Sequence, residues 1–93
     1  MEDNKNAGDP KKYERKVTDN PNDHEARFNL ATALLAVEEK ESAVENLLEI
    51  VKRNRKWQDD KARKKIVEIL AANSEDDVFT SKIRLKLSNI LFT

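Results

Sequence analysis

The sequence predicts an all-α domain of antiparallel helical hairpins, with about four main helices and a short N-terminal helix. Apolar residues recur at helical spacing in several segments between residues 26 and 92. One glycine and two prolines are too few for the turns of a sheet protein of 93 residues. A chain of this length forms a single domain, which we place at residues 9–93 behind a polar, disordered leader at residues 1–8.

The first four helices are predicted from their start signals and their apolar faces. Asp9 followed by Pro10 is typical of an N-cap with proline in the first turn, which opens the short first helix. Asn22 with Glu25 resembles a capping box at the start of the second helix, and the fourth helix is expected to start near residue 59 or 60. The core faces of helices two, three and four are predicted to be Ala26, Leu30, Ala33, Leu34 and Val37; Ala43, Val44, Leu47, Ile50 and Val51; and Ala62, Ile66, Ile69 and Leu70.

The fifth helix is predicted from about Asp76 to Phe92, with Ser74 as its N-cap, and has two apolar faces. Val78, Leu85 and Phe92 recur every seven residues on one side, where the chain has no further helix to cover them. We therefore predict an exposed apolar strip that binds a partner protein. The alternative is that the strip packs on helix one, on a longer native chain or on a second copy, as in a homodimer. The opposite face, expected to pack on helices three and four, is Phe79, Ile83, Leu87, Ile90 and Leu91.

The second helix has a smaller version of the same feature. Phe28 and Leu35 lie opposite its main apolar face, so they are candidates for a second partner-binding patch. Inner helices of stacked hairpins often bury two faces, however. Packing of both side chains in the core is therefore the alternative interpretation.

The basic segment RNRKWQDDKARKK, residues 53–65, contains the only tryptophan. It could bind nucleic acid, with cations on phosphates and Trp57 as a stacking platform. The alternative is a helix boundary, in which Trp57 packs back on the first turns of helix four. We favour the second hypothesis and predict no nucleic-acid partner, because 18 basic and 18 acidic residues balance. The acids expected to interrupt the patch or to pair with it are Asp59, Asp60, Glu41, Glu45 and Glu49.

The residues needed for catalysis or for a cofactor are nearly absent. There is no cysteine, and the single histidine, His24, is expected to lie exposed in the first turn of helix two. No glycine-rich phosphate loop and no metal-ligand spacing occurs. We therefore predict a non-enzymatic chain with no catalytic, cofactor or metal site. Its longest apolar runs are too short to span a membrane, which predicts a soluble protein without a membrane partner.

An internal repeat becomes visible when the sequence is shifted by 36 positions, which aligns DHEARFNLATALL with DDKARKKIVEIL. The first copy also resembles the tetratricopeptide repeat, which has large and small residues at fixed helical positions. The sequence NPND precedes it, where such repeats carry an Asp-Pro-Asn-Asn type of link. The residues on the repeat positions are Arg27, Leu30, Ala31, Leu34, Ala43 and Leu47.

Most of the chain, from about residue 20 to residue 92, further resembles the C-terminal tetratricopeptide-like domain of the bacterial thioredoxin-like co-chaperones, the chaperedoxins. In two respects it departs from that family. Glu38, Glu39 and Lys40 occupy the link where the family usually has glycine, and the preceding thioredoxin domain is absent from the sequence, as in an excised fragment or a free-standing relative. The residues that match the family signature are Arg53, Arg55, Trp57, Asp59, Ala62 and Arg63.

This resemblance implies a cytoplasmic domain that holds unfolded client proteins and whose C-terminal helix docks on the chaperonin. Redox chemistry would belong to the thioredoxin domain. The alternative function is a structural or dimerisation spacer that orients an adjacent thioredoxin domain, with the apolar strips used internally.

Overall fold

The computed structural model describes residues 9–92, and over this range the chain forms five helices and no strand. The predicted all-α class is therefore confirmed. Residues 1–8, predicted to be a disordered leader, lie outside the described residues. The helices are α1 (Pro10–Asp19), α2 (His24–Ala36), α3 (Lys40–Arg53), α4 (Lys61–Ala72) and α5 (Asp77–Leu91).

The start of α1 is as predicted. Oδ1 of Asp9 accepts a hydrogen bond from the backbone N–H of Lys11 at 3.1 Å, and Pro10 occupies the first turn. The proline ring holds φ near its helical value and removes an N–H that would have no partner within the helix. Tyr13 and Val17 of this helix pack against the core as partly buried side chains.

The N-caps of α2 and α5 differ from the prediction. Asp23, and not Asn22, caps α2 by accepting a hydrogen bond from a first-turn N–H at 3.0 Å. Asp76, and not Ser74, caps α5 by accepting from the N–H of Phe79 at 3.0 Å. A capping oxygen belongs to the residue just before the first helical one, so the true starts of the two helices decide between neighbouring candidates.

The link between α2 and α3 is a tight helix-ending turn. The N–H of Glu38 donates to the carbonyl of Leu35 at 3.0 Å, and the N–H of Glu39 donates to the carbonyl of Leu34 at 2.8 Å. This pair of bonds is the Schellman motif, which requires a left-handed residue and usually has glycine there. Glu38 occupies that position with φ of 63°. The departure from glycine noted in the sequence therefore falls where a Cβ atom is unfavourable.

Replacing Glu38 by glycine is expected to stabilise the domain. A left-handed conformation costs a non-glycine residue about 1–2 kcal/mol, whereas glycine adopts it freely. Glycine loses about 0.4–1 kcal/mol through the larger entropy of the unfolded chain, which leaves a net gain of about 0.5–1 kcal/mol. Urea denaturation of Glu38→Gly measures this gain. Glu39→Gly is the control, because Glu39 has φ of −95° and gains nothing from the substitution; an equal effect of both variants would contradict the explanation.

α3 is the central helix, and it contacts α2, α4 and α5. Its apolar face is the most deeply buried surface of the domain. Val37, predicted on the core face of α2, is 48% exposed, because the helix ends at Ala36 and Val37 turns outward as the C-cap. The other core residues predicted for α2, α3 and α4 are buried: Ala26, Leu30, Ala33, Leu34, Ala43, Val44, Leu47, Ile50, Val51, Ala62, Ile66, Ile69 and Leu70.

The link between α3 and α4 contains three consecutive left-handed residues. Gln58, Asp59 and Asp60 have φ of 51°, 59° and 64°. The N–H of Lys61 donates to the carbonyl of Trp57 at 3.2 Å and closes the turn just ahead of α4. Asp60 is the N-cap residue of α4 but makes no side-chain capping bond, because the left-handed backbone does not place its carboxylate over the first turn.

Candidate functional site

α5 has one buried and one exposed apolar face, as the sequence predicts. Phe79 and Ile83 are buried in the core, and Leu87, Ile90 and Leu91 pack against it as partly buried side chains. On the opposite side Val78 is 81% exposed, Leu85 is 64% exposed and Phe92 is 85% exposed. We call these three residues the α5 strip. Among residues 9–92 they are the most exposed large apolar side chains, ahead of Val37 and Val67.

The start of α5 is fixed to the start of α3 by Lys40. The ammonium of Lys40 donates to Oδ1 of Asn73 at 2.8 Å and lies 3.8 Å from the carboxylate of Asp76. It also lies 4.8 Å from the ring centroid of Phe79, a distance at which the positive charge is attracted to the aromatic face. Because Asp76 caps α5, Lys40 connects the two helix starts directly.

Two further ion pairs join α5 to α3 along their length. Lys82 donates to Glu41 at 2.5 Å, and Lys86 donates to Glu45 one turn further on. The hydrogen bond and charge of Lys82 lower the pKa of Glu41, and the same contact raises the pKa of Lys82. Glu41 and Glu45 were predicted to pair with the basic segment, and that assignment is wrong. They face α5, one turn apart on both helices, and fix its rotation about its own axis.

The other end of α5 is held by the basic segment. Nη2 of Arg55 donates to the carbonyl of Leu91 at 3.2 Å, which satisfies one of the unpaired carbonyls in the last turn of the helix. Arg53 pairs with Glu49 at 2.7 Å, as predicted, and also donates to Oδ1 of Asn22 at 3.0 Å. These arginines therefore connect the α3–α4 link to neighbouring elements of the same chain.

Trp57 packs on α2. Its ring centroid lies 5.7 Å from that of Phe28 and 6.2 Å from that of His24, the second in an edge-to-face arrangement. The ammonium of Lys61 lies 4.5 Å from the centroid of Phe28 and 5.8 Å from that of Trp57. Anchoring was predicted against the first turns of α4, but the main aromatic contacts are with α2. The left-handed turn at residues 58–60 directs Trp57 toward α2, where its side chain is half-buried.

Phe28 and Leu35, the second candidate patch, are partly buried and pack against the hydrophobic core. Phe28 is covered by Trp57 on one side and by Lys61 on another. They therefore offer less free apolar surface than the α5 strip.

A family sequence model described as Tetratricopeptide repeat matches residues 3–92. The chain belongs to this family. Tetratricopeptide repeat domains are typically non-catalytic modules that mediate protein–protein interactions. No curated protein and no solved structure shows a significant match to the chain.

The two copies of the tetratricopeptide repeat put equivalent residues in equivalent environments. Ala26 and Ala62 are both buried, as are Leu30 and Ile66, which are aligned by the 36-residue shift. Ala31, on the position that requires a small side chain, is 1% exposed. Of the residues that resemble the chaperedoxin signature, Ala62 is buried, Arg63 lies 3.7 Å from Asp60, and exposed Asp59 lies 3.3 Å from Lys64.

His24 of the first repeat is more enclosed than predicted, and Arg27, one turn later, is partly buried. His24 was expected to be exposed, but it is half-buried under Trp57, and its Nδ1 has no hydrogen-bond partner within the described residues. Arg27 donates to the carbonyl of Pro21 at 3.0 Å and to Asn46 at 3.4 Å. Burial lowers the pKa of Arg27, and Arg53 adds to this effect while Glu49 opposes it. Arg27 lies on a position of the repeat, but no sequence motif predicts the enclosure of His24.

Residues 9–92 contain neither a metal-ligand cluster nor a membrane-spanning helix. Over that range no three His, Cys, Asp or Glu side chains are grouped so that they could hold a metal ion. In the same part of the chain, every helix falls short of the length and apolarity of a transmembrane span.

Proposed function

We propose that this tetratricopeptide repeat domain binds exposed apolar segments of unfolded proteins through the α5 strip, as a co-chaperone or holdase without catalytic activity. The observation that carries the proposal is the exposure of Val78, Leu85 and Phe92 along one helix. An unfolded chain offers isolated apolar side chains without fixed shape. A narrow apolar strip with polar flanks accommodates such segments with little demand on sequence.

The resemblance to the chaperedoxins supports the same proposal. Two residues of the shared signature have contacts that bear on α5 and its surroundings: Arg55 bonds the last turn of α5, and Trp57 anchors the α3–α4 link on α2. We infer that the domain belongs to a cytoplasmic protein with a thioredoxin domain and that α5 also docks on the chaperonin. Any redox chemistry then resides in the thioredoxin domain, because this chain has no cysteine.

A spacer or dimerisation module for an adjacent thioredoxin domain is the second candidate. The seven-residue spacing of the α5 strip favours it, because this spacing is typical of helix pairs that associate along their length. If the domain is such a spacer, the strip packs within the same protein or against a second copy of it, and it binds no client.

Leu85→Arg tests the proposal. The substitution places a charge in the middle of the strip, at a side chain 64% exposed, so the fold is expected to survive. Suppression of aggregation of a thermally unfolding model enzyme, followed by light scattering, is expected to fall at least tenfold. The matched control is Val67→Arg, because Val67 is an apolar residue of α4 that is 49% exposed and outside the strip. It should suppress aggregation as the parent does.

The two candidate functions give different outcomes. Loss of aggregation suppression in Leu85→Arg alone supports client binding. A parent chain without aggregation suppression, or equal suppression by Leu85→Arg, argues against it. A changed oligomeric state with no change in client binding supports the spacer. Binding of purified chaperonin by the parent and not by Leu85→Arg tests the docking of α5 separately.

A further inference from the structure

The α5 strip is complementary to itself. Val78, Leu85 and Phe92 are evenly spaced on one line, which extends about 21 Å along the helix. A two-fold axis through Leu85, perpendicular to α5, places each Leu85 against its copy. The same axis places Val78 opposite Phe92 of the second copy at both ends. An antiparallel pair of α5 helices thus buries all three side chains at once.

The surface around Val78 is acidic. A groove beside Val78 is lined by Glu38, Glu39 and Asp76. The negative charge of Asp76 is balanced by Lys40. The charge of Glu41, in the same groove, is balanced by Lys82. Glu38 and Glu39 are exposed, and within residues 9–92 neither forms an ion pair. An excess of two negative charges therefore remains at this end of the strip.

The surface near Phe92 is basic. Lys52 lines a groove with Ile90 in the last turns of α5, and Arg55 donates to the carbonyl of Leu91. The two carboxylates of that groove, Glu45 and Glu49, are balanced by Lys86 and Arg53. Lys52 is exposed and has no carboxylate partner in the described part of the chain. Arg55 bonds a carbonyl and no carboxylate, so its charge is also uncompensated. The two ends of the α5 strip consequently carry opposite charge.

We propose that a second copy of this chain covers the α5 strip in an antiparallel, two-fold arrangement. The acidic end of each copy then meets the basic end of the other. The two-fold axis gives two equivalent contacts, and in each of them Glu38 of one copy faces Lys52 of the other. A parallel arrangement instead puts like charges together. Three side chains on a single helix give an interface at the small end of the known range, which predicts a weak dimer with a dissociation constant on the order of 0.1 mM.

Such a dimer regulates access to the strip. Client segments and the second copy compete for the same three side chains, so dilution or an excess of client frees the strip, and high concentrations of the chain cover it. This regulation rests on the client-binding function proposed above. The dimer does not, because its formation requires only the chain itself.

Charge exchange between the two ends tests the arrangement. Sedimentation equilibrium of the whole chain at low salt is expected to show a monomer–dimer equilibrium that weakens as salt rises. Glu38→Lys and Lys52→Glu each put like charges at both contacts and should weaken the dimer about tenfold or more. An equimolar mixture of the two variants should associate again, because each contact in the heterodimer regains one positive and one negative partner.

Two further variants complete the experiment. Leu85→Arg puts two positive charges on the axis and should abolish association, whereas Lys11→Glu on α1 lies outside the strip and should not change it. Circular dichroism checks that each variant is folded. The proposal is overturned if the chain stays monomeric at 1 mM or if the Leu85→Arg variant still dimerises. It is also overturned if the mixture of Glu38→Lys and Lys52→Glu associates no more strongly than either variant alone. Aggregation suppression by a strictly monomeric parent would leave the client-binding function standing alone.

Discussion

Leu47→Ala is expected to remove a substantial part of the stability of the domain. Leu47 is 0% exposed and lies at the middle of α3, the helix that contacts α2, α4 and α5. Truncation of such a leucine loses transfer free energy and leaves a cavity that the three surrounding helices cannot close, at a cost of about 3–4 kcal/mol. A domain of this size has a free energy of unfolding of only about 5–15 kcal/mol. Urea denaturation followed by circular dichroism and Trp57 fluorescence measures the loss.

Leu85→Ala is the matched control, because it is the same substitution at a side chain 64% exposed. Its effect should lie within about 0.5 kcal/mol of zero. A loss below about 1 kcal/mol for Leu47→Ala would show that α3 is not the centre of the core. Equal losses in both variants would instead show that the α5 strip is buried in solution, and the dimer would then be the first explanation to examine.

Ala31→Leu is expected to destabilise the domain by about 2–3 kcal/mol, through excess volume in the core. Ala31 is 1% exposed and belongs to the same core cluster as Ala43, which is 0% exposed. Two small residues in one cluster indicate that α2 and α3 approach closely there. Three additional carbon atoms force the helices apart or push the new side chain out of its preferred rotamer. Thermal and urea denaturation both measure this effect.

Ala36→Leu is the control for this prediction. Ala36 is the last residue of the same helix and is exposed, so the larger side chain extends into solvent and stability should barely change. If Ala31→Leu is tolerated as well as Ala36→Leu, the small residue of the repeat is not required for helix packing. The assignment of Ala31 to the small position of the tetratricopeptide repeat would then lose its physical basis.

Local sequence signals predicted most of the fold and the α5 strip. Helical periodicity marked the buried faces, because each helix places its own residues on a face without reference to the others. The strip at Val78, Leu85 and Phe92 followed from the same rule, because these residues lie opposite the buried face of α5. The structure confirms that the strip is exposed. Its binding of a partner protein stays a prediction.

Contacts between distant segments could not be predicted in this way. Lys82 pairs with Glu41 across 41 residues, and no local spacing indicates which helix Glu41 faces. Trp57 was predicted to pack on α4, its neighbour in sequence. The left-handed turn that directs it to Phe28 on α2 contains no glycine, so the sequence does not indicate that turn. The burial of His24 beneath Trp57 was missed for the same reason.

The N-cap residues of α2 and α5 were predicted incorrectly for a different reason. Neighbouring residues of similar capping ability compete for the same position. Asn22 and Asp23 are both good N-caps, and the backbone of the preceding turn decides between them. Ser74 and Asp76 present the same choice two residues apart. In both helices the aspartate is the residue directly before the first helical one.

The uneven attachment of α5 has a consequence for motion. α3 buries six side chains in the core, whereas α5 buries only Phe79, Thr80 and Ile83 and is joined chiefly to α3, by exposed ion pairs. Opening of a segment costs least where few apolar contacts are broken, so we expect rare forms of the native ensemble in which α5 has detached while the α2–α3 hairpin stays intact. In these forms the buried aromatic face of α5 and the underside of α3 become accessible together. We therefore expect the exposed apolar surface of the domain to extend well beyond three side chains for a small fraction of the time.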